Sequence, residues 1–408
     1  MASKMVSTIA LAAGLAAAAN TDPVVPLSAQ IGALDFGVTC NVPVFGNYTF
    51  EGYFTATAPI QGASGQQIYY TDLVAAITIP SSLTGLGKFV SVSHAKASVK
   101  VQLDLENATP ATYDVFPEPL VLDNITFTPG EPVTVRVPTT GTLPPLGPVT
   151  LGQAGKTHLI HLGEVDIDLT LLNNDGSTFL FPLPIKCPPS EIRYDIGIVN
   201  ILDPSLKTPA APTTNGTYKF AKISNNEETG SFRFPYSCDF SNGKMDDVDL
   251  TISGTVPTYL HPGDKWSVKD AFAYLRLSPA TVADLTSGFT GVTMATTIVK
   301  QYNITVENGS PSSINALTTP IRTTSKVQQG QELDIALPAD NTFSFGPFTA
   351  GASGQELFLT SAGTSGSFAF MDQSGRNVGG VDFQCKPKYT SRLIGIPVTN
   401  ATPPPISK

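Results

Sequence analysis

The chain predicts an all-β protein of two tandem β-sandwich modules, immunoglobulin-like or jelly-roll-like, and three observations carry that expectation. Its four cysteines form two pairs of identical spacing, Cys40 to Cys187 and Cys238 to Cys385, 147 residues in each case. The clearest segments alternate apolar and polar residues with period two, and no long stretch carries a helical period. Charged residues are 14% of the chain, against a usual share of about a quarter. Gly 35 and Pro 34 supply turns.

Residues 1–19 read as a signal peptide. Lys4 precedes an apolar, Ala-rich run from Met5, small Ala17 and Ala19 suit a signal peptidase, and Asn20-Thr21-Asp22 turn polar. No later segment has the roughly 20 apolar residues that a membrane span requires. The tail ending Pro403-Pro404-Pro405-Ile406-Ser407-Lys408 lacks the hydrophobic stretch of a lipid-anchor signal. A secreted protein, extracellular or surface-associated, is expected.

Module one spans residues 28–202 and module two residues 226–402. An offset of 198, the distance from Cys40 to Cys238, aligns Pro59 with Pro257, Gly65 with Gly263, Asp72 with Asp270 and Ala75 with Ala273. It also aligns Ile196-Gly197-Ile198 with Ile394-Gly395-Ile396; a one-residue slip brings Pro80 onto Pro279 and Gly155 onto Gly354. Repetition at a fixed period marks duplication. Within each copy, Leu34, Phe36 and Val38 alternate into Cys40, as Phe232, Phe234 and Tyr236 do into Cys238. Asn173-Asn174-Asp175-Gly176-Ser177 and Asp372-Gln373-Ser374-Gly375 are turn sequences before the second cysteines, so each module should end in a hairpin.

Residues 203–225 are rich in Pro, Ala and Thr and read as a linker, so each module is expected to fold alone. Four cysteines allow three pairings. The repeat selects Cys40 with Cys187 and Cys238 with Cys385, formed in an oxidising compartment. Closing a loop this long contributes up to about 4–5 kcal/mol on the chain-entropy model.

Phe234-Pro235-Tyr236-Ser237-Cys238, Val256-Pro257 and Phe383-Gln384-Cys385 resemble an uncharacterised family of secreted β-modules on surface proteins of Gram-positive, mycelial bacteria. In the first copy the matching residues are Val38-Thr39-Cys40, Ala58-Pro59 and Ile185-Lys186-Cys187. The resemblance implies a tandem pair of extracellular scaffold domains of unknown function. It transfers no catalytic residue.

The site candidates divide between chemistry and contact. His158 and His161 with Glu164 have the look of metal ligands, but residues three apart on a strand face opposite ways, so no metal is expected. Glu164, Asp166 and Asp168 share a strand face opposite Val165, Ile167 and Leu169, the pattern of a solvated sheet face. Asp72 and Asp270 are the carboxylates common to both copies and suit a turn-capping role. Met245-Asp246-Asp247-Val248-Asp249 reads as a solvated acidic cluster, and His94 and His261 have no partner legible from spacing. There is no Gly-x-Ser-x-Gly elbow, and pairing leaves no thiol for catalysis. Tyr69, Tyr70 and Trp266 occupy nearly equivalent places after the shared Gly, where exposed rings can stack on sugars or anchor an interface and buried ones serve core or edge packing. Sequons at Asn47, Asn107, Asn124, Asn215, Asn303, Asn308 and Asn400 are candidate glycosylation sites.

The net charge is -9 with no Lys/Arg run, so nucleic acid is not an expected partner. No catalytic residue and no cofactor are expected. The reading is a non-enzymatic extracellular structural, adhesive or binding protein; its partner is not legible in the sequence, a cell-wall or host glycan or another surface protein being the candidates. The alternatives are a carbohydrate-binding protein and a glycoside hydrolase using Glu164 or Asp166.

Overall fold

The computed structural model describes residues 25–87, 92–173, 175–179, 182–205, 226–339 and 341–404. Residues 1–19, the Asn215 sequon and all but the start of the 203–225 linker lie outside them.

Module one runs β1 (Ala29–Val42), β2 (Gly46–Pro59), β3 (Gln61–Ala63), β4 (Gln67–Ile79), helix α1 (Ser81–Thr84), β5 (His94–Glu106), β6 (Ala108–Thr109), β7 (Thr112–Asp114), β8 (Leu120–Thr126), β9 (Val133–Val137), β10 (Leu146–Leu151), β11 (Thr157–Leu172), β12 (Leu183–Cys187) and β13 (Asp195–Leu202). Module two repeats the order with β14 (Glu227–Phe240), β15 (Met245–Pro257), β16 (Lys265–Leu277), helix α2 (Pro279–Thr286), β17 (Met294–Glu307), β18 (Gly309–Ser310), β19 (Ser313–Asn315), β20 (Ile321–Lys326), β21 (Leu333–Leu337), β22 (Phe343–Ala350), β23 (Gln355–Met371), β24 (Asn377–Pro387) and β25 (Arg392–Val398). The fold is an all-β sandwich.

Period-two alternation becomes burial as expected. Phe232, Phe234, Tyr236 and Cys238 are buried while Arg233, Pro235 and Ser237 are not. Val165, Ile167 and Leu169 of β11 face the core and Glu164 and Asp168 face solvent. Both disulfides form as the repeat predicts, Cys40 to Cys187 and Cys238 to Cys385. Cys238 stands directly opposite Cys385 in the β14–β24 ladder, so each bridge staples neighbouring strands across the whole length of a module. The expected hairpins are present: Ser177 N donates to Asp175 Oδ1 and Ser374 N donates to Asp372 Oδ1, both at 2.9 Å.

The shared aspartates sit at strand corners. β4 pairs with β10 through Gln67 to Tyr70 and with β2 and β9 through Thr71 to Ile79. Asp72 sits at the change with φ 55°, beside a bulge between Thr55 and Thr57. Asp270, at φ 50°, marks the same transfer of β16 from β22 to β15. Strands that switch sheets do so through bulges, and the left-handed conformation this requires is one that Asp tolerates better than most residues.

The two modules pack edge to edge through their first strands. The first halves of β1 and β14 pair antiparallel from Ala29 opposite Arg233 to Leu34 opposite Glu228. Gly32 lies opposite Gly230, its own counterpart at the repeat offset. The pairing therefore has a local two-fold axis at these glycines, the isologous geometry of a symmetric dimer. Ile60 joins the buried core of module two, and Tyr259 packs against that of module one. Asn200 Nδ2 donates to Arg392 O at 3.0 Å, and Arg392 N donates to Asn200 Oδ1 at 2.9 Å. Leu159 and Ile198 cluster with Phe358 across the same boundary. Burying an otherwise open sheet edge satisfies the backbone groups that would invite association.

Candidate functional site

Tyr69 alone among the aromatic candidates reaches the surface. Tyr70 is 4% exposed, with its hydroxyl 2.6 Å from His158 Nε2, and Trp266 is 6% exposed against Phe348 at a ring separation of 4.8 Å. Rings sealed in this way serve packing and cannot stack on a sugar; the offset that aligned them marked a core position. Burial pushes the Tyr70 hydroxyl far above its ordinary range.

His158 and His161 are both buried and both reach Glu106, through different atoms. His158 Nδ1 lies 2.6 Å from Glu106 O, and burial lowers its pKa. His161 Nδ1 is 3.0 Å from Asp195 Oδ1, and its Nε2 is 3.5 Å from Glu106 Oε1. Among the described residues no His, Cys, Asp and Glu grouping has metal-binding geometry. Glu164 and Asp166 meet Lys186 at 3.7 and 3.3 Å on an exposed face. His94 Nδ1 lies 3.3 Å from Thr126 Oγ1, and His261 Nδ1 lies 2.8 Å from Thr399 O. In the acidic cluster Asp247 pairs with Lys388 and Asp249 with Arg233.

Of the sequon residues, Asn107 and Asn308 occupy equivalent left-handed positions at φ 52° and 56°. Asn107 Nδ2 donates to Thr157 O and Asn308 Nδ2 to Glu356 O, each at 2.7 Å. These amides hold strand ends together. Asn124 is likewise left-handed at φ 58°, and Asn47 Oδ1 accepts from Asn41 Nδ2 at 2.9 Å.

Two further constellations emerge that spacing did not reveal. The first is a carboxylate cluster in the seam. Asp195 (7% exposed) faces Glu356, with Glu228 and Glu106 nearby. Part of Glu228 and of Glu356 reaches the surface, yet Oε1 of each is sealed and no aligned protein donor satisfies it. Burial, then the charge of Asp195, then a hydrogen bond with Asp195 push Glu356 up to about 11. Burial and the Asp195 charge also push Glu228 upward. Gly395 permits this meeting, since a Cβ there would lie 2.6 Å from Asp195 Oδ2. Arg392 closes one side, bonded to Glu307 and Thr157 with its guanidinium 4.0 Å from the centre of the Phe358 ring.

The second is an apolar pocket of about 220 Å³ at the far end of module one, between β4, α1, β5 and β11. Leu83, Leu86, Phe127, Leu169 and Leu171 form its walls. Thr84 is the one polar side chain among the described lining residues, and its hydroxyl is committed to the carbonyls of Ser81 and Glu131. At the corresponding end of module two the space is closed, with no volume for a water: Phe368 and Phe370 stand where module one has Leu169 and Leu171.

The hairpin beside the pocket diverges in the same sense. Phe45 N donates to Val42 O and, equivalently, Gly243 N donates to Phe240 O. Module two builds this tip from Ser241-Asn242-Gly243, with Gly243 at φ 81°. Module one builds it from Pro43-Val44-Phe45, with Val44 at φ 73° and 97% exposed. A β-branched residue in the left-handed region is strained, and a fully exposed apolar one gains nothing from burial. Phe45 and Phe179, at 44% and 39% exposed, line the pocket mouth.

Residues 38–187 match a family of unknown function, DUF6801. No curated protein matches the chain. Among solved structures, one similar chain is a candidate membrane-anchored protein from Corynebacterium diphtheriae, at 8% identity and TM-score 0.22, covering 93% of this chain and 98% of that one. Another, pT26-6p, is similar at 8% identity and TM-score 0.21, with coverage of 88% and 66%.

Proposed function

We propose that this chain is a non-enzymatic extracellular protein, a structural or adhesive surface component that presents its ends to a partner. The observation that carries the reading is the fusion of two disulfide-stapled sandwiches into one body through β1 and β14. Long-range disulfides fit an oxidising compartment. Among the described residues no helix is long and apolar enough to cross a membrane. Four titratable groups, His161, Asp195, Glu228 and Glu356, meet one another inside the seam. That arrangement supports a role in holding the modules together.

The carbohydrate reading loses its main support with the burial of Tyr70 and Trp266. Fractionation of the source cells tests the compartment. The chain should be found outside the membrane, resistant to alkylation unless reduced; intracellular protein with free thiols would refute the proposal.

A further inference from the structure

We infer that the end pocket of module one is a binding site for a single hydrocarbon chain, the alkyl or acyl tail of a monomeric amphiphile. The inference stands on the geometry of the pocket and goes beyond the extracellular reading. Three observations converge on it.

The first is the pocket itself. At about 220 Å³ it exceeds the roughly 150 Å³ of an apolar cavity able to take up benzene. Among the described residues its walls offer no free side-chain hydrogen-bonding group, because the Thr84 hydroxyl is already bonded. The part of a ligand that enters must therefore be hydrocarbon throughout.

The second is the contrast between the copies. Module two fills the equivalent space with Phe368 and Phe370 and leaves no volume. The fold thus closes this end with two aromatic rings when nothing is to be admitted. Leu169 and Leu171 keep it open in module one.

The third is the mouth. The tip that module two makes from an ordinary polar turn is Pro43-Val44-Phe45 in module one, strained at Val44 and apolar outward. With Phe179 it continues the apolar wall from the pocket to the surface. A ligand longer than the cavity would lie along this strip, which favours a chain over a compact ring compound. Its polar head would remain in water.

The test uses the full chain and a homologous series of straight-chain fatty acids below their critical micelle concentrations, read by displacement of the fluorescent probe N-phenyl-1-naphthylamine. We expect one site per chain and an affinity rising about fourfold per added methylene until the pocket and strip are covered. Leu169→Phe with Leu171→Phe, which copies module two, should weaken binding at least tenfold without lowering the unfolding temperature. Should that variant fail to fold, Val44→Asn with Phe45→Gly copies the other tip at the surface and should weaken the longer chains several-fold. Affinity independent of chain length, or unchanged in both variants, would overturn the site. Co-sedimentation with phosphatidylcholine vesicles that persists in the Phe variant would show docking of the tip on a bilayer instead, and would equally overturn it.

Discussion

Asp195 and Glu356 meet carboxyl to carboxyl across the boundary between the modules. His161 Nδ1 lies 3.0 Å from Asp195 Oδ1 on the other side, and the hydrogen bond between the two carboxyl groups favours the protonated form of Glu356. The seam is therefore linked to pH.

Glu356 is held at about 11 in the folded chain against an ordinary 4.5, so the native state binds the extra proton throughout the interval between. Its contribution is complete below the unfolded value and declines as pH rises. Asp35, raised to about 7 by burial and then by Glu51, adds in the same direction from 3.8 upward. Thermal unfolding should fall by several degrees between pH 5 and pH 8, and Glu356→Gln, which keeps a donor, should flatten the slope. Equal slopes in both proteins would contradict the linkage.

Gly395→Ala should destabilise by about 1–3 kcal/mol, the usual cost of overpacking, because the new methyl collides with Asp195 Oδ2. Gly354→Ala has open space but φ 83°, so its penalty comes from backbone strain alone. Denaturant titration of the two variants at pH 5 and pH 8 separates the causes: only the first should alter the pH dependence.

Val44→Gly or Val44→Asn should stabilise the chain by about 0.5–1 kcal/mol, since either residue tolerates the left-handed conformation that costs a branched side chain about 1–2 kcal/mol. Urea midpoints test this. A lower midpoint would show that Val44 makes packing contacts that offset its strain.

Replacing Cys238 and Cys385 together with Ala should cost about 2–5 kcal/mol. Both residues are buried, at 1% and 7% exposed. Non-reducing peptide maps of the native chain should contain the Cys40–Cys187 and Cys238–Cys385 peptides. Any intermodule link would refute the arrangement.

A fragment of residues 25–205 should form dimers, because it leaves the Ala29–Leu34 edge open and that edge is self-complementary about Gly32. Light scattering on the fragment after size exclusion gives the answer. A monomer at high concentration would show that the edge does not drive association.

Much of the fold was legible in the chain. Alternation through Phe232, Phe234 and Tyr236 gave the strands, and equal cysteine spacing gave both disulfides, because period-two burial and covalent pairing leave direct marks on a sequence. The site was less so. Trp266 could be read as a platform or as a core ring, since position says nothing of which sheet face a residue occupies once a strand changes sheets at Asp270. Asp195, Glu228 and Glu356 are far apart in sequence and meet where β1 packs on β14 and β13 on β25, contacts with no local signal. The pocket did leave a trace: Leu169 and Leu171 against Phe368 and Phe370, and Pro43-Val44-Phe45 against Ser241-Asn242-Gly243. Differences between aligned copies held more functional information than their agreements.

The pairing of Gly32 with Gly230 has a consequence for how the two ends of the molecule can differ. Two separate copies joined through such an edge would be identical, and every change at one extremity would be imposed on the other. Covalent concatenation releases that constraint: stoichiometry is fixed at one to one, while each half is free to drift alone. An open extremity at Leu169 and a sealed one at Phe368 are the kind of asymmetry that a homodimer cannot acquire, and they give the particle a front and a back.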